Sequence, residues 1–150
     1  MEGMIPHYER LVRSLPLILF AVFTVILFTQ SGLDKVFNFR ENLSWLKEHF
    51  SKTVLSPFTP LMVITITVLE VATGLGTAIG IIYLLTTGSA GVILIASLVG
   101  ALTLLALFFG QRVAKDYAGG AELVPYFILQ VALLAIATQD MLMRSDYHAP

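Results

Sequence analysis

The chain has 150 residues, a net charge of −1 and no cysteine. Hydrophobic side chains make up 57% of it and charged ones 13%, about half the charged share usual in soluble domains. This composition excludes a soluble fold of this size, a basic nucleic-acid surface, and disulfide, thiol-redox or thiolate-metal chemistry.

A bilayer's hydrocarbon core, about 30 Å thick, takes about 20 apolar helical residues to cross. The first such stretch covers residues 15–33 and follows a polar leader, Met1–Ser14. Arg10 and Arg13 before an apolar core resemble a signal peptide. No small-x-small cleavage site follows, however, so the stretch reads as a retained helix.

The long connection 34–60 has structure of its own. Asn38 and Glu41 have the spacing of a capping box. Phe39, Leu43, Leu46 and Phe50 recur at helical spacing, with charged residues on the other faces and Trp45 beside the stripe. The segment 39–50 is too short to span. It reads as an amphipathic interfacial helix, either lying on the membrane surface or closing the mouth of the bundle.

Pro57 and Pro60 suit the start of the second span, 61–85. The uncharged turn 86–90 makes the third span, 91–110, its antiparallel neighbour. Ala72, Gly76 and Gly80 on one span and Ala96 and Gly100 on the other repeat at four-residue spacing. Gly74 lies beside the first set. Small residues so placed predict a close helix–helix seam. A polar connection from Gln111 to Glu122 leads to the fourth span, about 122–139, where Glu122 suits the helix N-terminus. The tail from Asp140 reads as polar and loose.

The fold expected is therefore all-α: one membrane domain, a four-transmembrane-helix bundle with an interfacial helix between helices 1 and 2. Four spans bring Asp34, Lys35, Gln111, Arg112, Asp116, Tyr117 and Glu122 to the same face. That face carries six basic residues against three on the other (Arg10, Arg13, Arg144), which predicts cytoplasmic loops by the positive-inside rule. Away from the span ends, Glu70 is the one charged residue inside a span, about 13 Å deep. An ionisable group there is costly and must face the bundle interior, paired or neutral. The candidate cations are Lys35 and Arg112, both near the interface. Two roles stay open for Glu70: a ligand- or proton-binding group in a cavity, or a buried carboxyl that ties helices together through Gln30, Gln111 or Tyr117. His7, His49 and His148 lie outside the spans, so they cannot form a haem pair, and no catalytic or metal-binding motif is present.

Gly32-Leu33-Asp34-Lys35 followed by Phe37, the amphipathic insert, and Glu70 with Gly74 in Leu69–Gly80 together resemble the signatures of the DoxX-type membrane proteins. The resemblance implies a four-helix bundle in a bacterial inner membrane, and it singles out Lys35, Glu70 and Gly74. It also implies an accessory or assembly subunit of a membrane complex, one family member being the small subunit of a thiosulfate–quinone oxidoreductase. Beside that stand a quinone-linked or small-molecule-binding subunit with a polar pocket around Glu70, and a proton-coupled transporter protomer. The implied partners are membrane lipids and other membrane subunits or further copies of the chain. No cofactor is evident beyond a quinone or lipid.

Overall fold

In the computed structural model, residues 7–147 are described, with side chains for Val12 and for 14–143. His148 and the outer ends of the leader and tail lie outside this range. So do the side chains of Arg10, Arg13 and Arg144.

Among the described residues there are five α-helices and one short 3-10 turn: α1 (His7–Phe37), α2 (Phe39–His49), the 3-10 turn Ser56–Phe58, α3 (Thr59–Thr87), α4 (Gly91–Val113) and α5 (Tyr117–Tyr147). Four of them, α1, α3, α4 and α5, are long and apolar enough to cross a membrane. The protein is a four-span membrane helix bundle. With no water to satisfy backbone groups in the bilayer core, closed helical hydrogen bonding is the solution open to such a sequence. The helices pack in the cyclic order α1–α3–α4–α5, with α1 closing back onto α5.

All four spans run longer than their apolar stretches. The leader is helical from His7, and the tail continues α5 to Tyr147 rather than being loose. The polar connection shrinks to residues 114–116, where Lys115 adopts a left-handed φ of 60°. Polar residues continue a helix readily once it leaves the lipid, so hydropathy marks the membrane boundary and not the helix end. Asp116 caps α5 by accepting the Gly119 N–H at 2.8 Å. Glu122 therefore lies inside the helix and not at its N-terminus. At the other end of the bundle Gly88 (φ 79°) terminates α3 in the left-handed conformation that glycine favours, its N–H bonded to the Leu84 carbonyl.

The interfacial helix is present as α2, packed on α3 and α1. Its stripe turns inward: Phe50 is buried, and Phe39, Leu43 and Leu46 are half-buried, while Trp45 is exposed. The expected capping box is not formed. The Asn38 side chain bonds Asp34 at 2.8 Å instead of capping α2. Asp34 sits one helical turn earlier and competes for the amide successfully, accepting from Asn42 as well.

The two halves of the bundle differ. Toward the 88–90 turn, Leu17, Ala21, Leu84, Ile93, Leu133 and Ala137 form an apolar core. Toward α2, polar groups and a cavity replace it. Buried threonines are not spare ligands. Thr67, Thr73, Thr77 and Thr103 each donate to a carbonyl of their own helix one turn back, at 2.7–2.8 Å.

The predicted glycine seam is divided among three interfaces. Gly80 lies against Ile93 and Gly76 against Ala96, so these two do join α3 to α4. Gly74 instead faces Thr29 of α1, and Gly100 faces Gln130 of α5 and Thr73. Ala72 is exposed and takes no part in any of them. A helix packed on two neighbours presents small residues to both, and a four-residue repeat alone does not say which.

Candidate functional site

Glu70 stands eleven residues into α3, about 16 Å from its start, and is 2% exposed. It faces α1. The close approach that permits this is visible on either side of it. A Cβ on Gly74 would meet the backbone nitrogen of Thr29 at 3.0 Å, and one on Gly32 would meet that of Val71 at 3.1 Å.

Lys35 is the partner. Its Nζ lies 2.9 Å from Glu70 Oε2 and donates to Oε1 at 3.1 Å. Ser31, one turn before Lys35, completes a triangle. Its hydroxyl accepts from Lys35 at 2.8 Å and donates to Glu70 Oε1 at 3.0 Å. The depth problem posed by the sequence is solved because α1 continues to Phe37. Lys35 then belongs to a helix running alongside α3, and its stem lies along the seam instead of hanging from a helix end. The residues expected to bind Glu70 structurally, Gln30, Gln111 and Tyr117, have no bond to it.

The remaining candidates do not join this group. The Arg112 guanidinium sits over the Tyr117 ring, 4.5 Å from its centroid, a cation–π contact at the membrane boundary. Gln111 Oε1 meets His49 Nε2 at 2.9 Å, and Asp116 Oδ2 stands 4.0 Å from the same nitrogen. His49 is in turn stacked on Trp45, with ring centroids 4.8 Å apart, and meets Phe50 edge-on. Asp34 is engaged with Asn38 and Asn42. One face holds all these residues, as the four-span topology requires, but they form separate clusters.

Between α2, α3 and α4 lies a cavity of about 340 Å³, at the small end of ligand pockets. Its walls are mostly apolar, with Leu46, Phe50, Met62, Val63 and Ile66 among them, and its polar members are Lys35, His49, Gln111 and Thr65. Leu61, Thr65, Ala106 and Phe109 line it and are also exposed on the bundle's outer surface. They belong to the spans, so the cavity opens sideways toward lipid. Its roof is α2. Phe50 reaches Gly110, where an added Cβ would come within 3.4 Å of its ring.

A second polar node was not anticipated. Gln130, 1% exposed at mid-span in α5, accepts from Thr24 of α1 at 3.1 Å and donates to the Ser97 carbonyl of α4 at 3.1 Å. Its signal in the sequence is an amide in the middle of an apolar span. Both ends of that amide are engaged, which makes it a clasp between three helices.

Comparison of the chain with family models, with curated proteins and with solved structures gave no match.

Proposed function

We propose that this protein binds a membrane-dissolved amphiphile of the quinone class, received sideways between α3 and α4 with its carbonyl head directed toward Lys35, His49 and Gln111. The observation that carries the reading is the cavity itself. It is mostly apolar, open to lipid, roofed by α2, and supplied with Lys35, His49 and Gln111 on its loop side, Thr65 being the other polar group in its wall. An apolar pocket with a few convergent polar groups is the usual form of a small-molecule site. Gln111 and Lys35 come to it from different helices, which serves orientation of a head group and not mere helix packing.

Kinship with the DoxX-type proteins is part of the same proposal. Its support is the motif residues Lys35, Glu70 and Gly74, all of which lie on the seam between α1 and α3. The assembly-subunit alternative needs a protein partner in place of a small ligand.

The test is purification from native membranes in mild detergent, followed by solvent extraction and mass spectrometry, with Ala106→Phe as the matched variant. Ala106 is exposed and lines the cavity, so a phenyl ring there fills the mouth without entering the core. A quinone or related amphiphile recovered with the wild type and lost in Ala106→Phe supports the reading. A stoichiometric protein partner retained equally by both, with no bound amphiphile, overturns it in favour of the assembly role.

A further inference from the structure

We infer that Glu70 sets the charge selectivity of the cavity, so that it accepts neutral hydrogen-bond-accepting head groups and rejects acidic ones. This rests on the binding reading above. Two of the lining side chains can carry positive charge, Lys35 and His49. Each has a carboxylate set against it: Glu70 at 2.9 Å from Lys35, and Asp116 at 4.0 Å from His49. Glu70 itself is not part of the cavity wall. It acts through Lys35.

The Lys35–Glu70 pair carries no net charge, wherever its proton resides. A lone lysine in an apolar pocket would attract any anionic amphiphile, fatty acids included, because attraction is weakly screened there. With Glu70 behind it, an incoming anion meets a pair of zero net charge and gains no net-charge attraction from it. A ketone or quinone oxygen brings no charge and needs only a proton to share. Lys35 has one to offer. Its bonds to Ser31 Oγ and to Glu70 lie at 2.8–3.1 Å, but its contact with the Ser31 carbonyl is long at 3.4 Å. That weakest bond can be exchanged for a ligand oxygen while the pair stays intact.

Trp45, the single tryptophan, stacks on the cavity-lining His49, and its fluorescence is the readout chosen for occupancy. The experiment titrates full-length protein in uncharged detergent with a decyl-substituted benzoquinone, reading saturable quenching of Trp45. The quinone is then displaced with a long-chain methyl ketone or with an alkyl sulfonate of equal length. In the wild type the ketone should displace at least about tenfold better than the sulfonate, a preference of about 1.4 kcal/mol. Glu70→Gln keeps the shape and should raise sulfonate affinity by about tenfold or more. Lys35→Gln/Glu70→Gln should abolish that gain.

Sulfonate and ketone competing equally in the wild type would overturn the inference while leaving the binding reading in place, and this arm needs no variant to fold. A sulfonate affinity unchanged by Glu70→Gln would overturn it too. Absence of saturable quenching in the wild type would remove the binding reading, and the inference with it.

Discussion

The fit between α1 and α3 can be tested with two alanines. Gly74 and Gly76 lie two residues apart in α3, so replacing either by alanine brings the same helix-propensity gain, up to about 1 kcal/mol. Their surroundings differ. At Gly74 the new methyl would lie 2.5 Å from Thr29 Oγ1, 3.0 Å from the Thr29 backbone nitrogen and 3.3 Å from its Cα. The hydroxyl can rotate, but the backbone cannot. Helix α1 must retreat by a few tenths of an ångström along its whole contact, and overpacking of this kind costs about 1–3 kcal/mol. At Gly76 the methyl would meet the Ala96 Cβ at 3.4 Å and nothing closer. Gly74→Ala should therefore be less stable than Gly76→Ala by about 1–3 kcal/mol. Gly76→Ala itself should match or exceed the wild type. The assay is reversible unfolding in mixed micelles by added denaturing detergent, followed by circular dichroism. Equal stabilities for the two variants would refute the claim that α1 and α3 touch at Gly74.

Lys35→Met leaves Glu70 buried with Ser31 as its remaining partner, and breaking a buried pair in this way costs about 3–5 kcal/mol. Lys35→Met/Glu70→Leu should recover most of that loss in the same unfolding assay, and a double variant as unstable as the single would count against the pairing. Gln130→Leu removes two interhelical hydrogen bonds, each worth about 0.6 kcal/mol in a membrane bundle. A loss of about 1 kcal/mol is expected, with no change in quinone quenching of Trp45, because Gln130 does not line the cavity.

Hydropathy alone made the membrane architecture legible. Glu70 apart, Lys, Arg, Asp and Glu keep out of the apolar stretches, and that places four helices and one amphipathic insert from the sequence. The isolated carboxylate Glu70 and the stripe Phe39–Phe50 were legible for the same reason, since each breaks or repeats a pattern. Helix ends were not, because helices extend past the lipid boundary that hydropathy detects. The Asn38–Glu41 spacing suits a capping box, but Asp34 competes for the Asn38 amide from the preceding turn, a choice that spacing cannot decide.

Partnership was the other thing hidden. Arg112 and Lys35 are equal candidates for Glu70 on charge and nominal depth. The rotation of α1 about its axis, fixed by Gly32 and Gly74 pressing on Val71 and Thr29, gives Glu70 to Lys35 and leaves Arg112 to Tyr117. The cavity belongs wholly to the tertiary structure. Its walls come from α1, α2, α3 and α4 and from the link before α3, and no local pattern records the space left between them. A one-dimensional order of apolar and polar residues determines which segments lie in lipid, because that is a matter of solvation summed along a helix. Which side chains meet, and what volume remains open beside them, follows from how the packed helices are turned against each other.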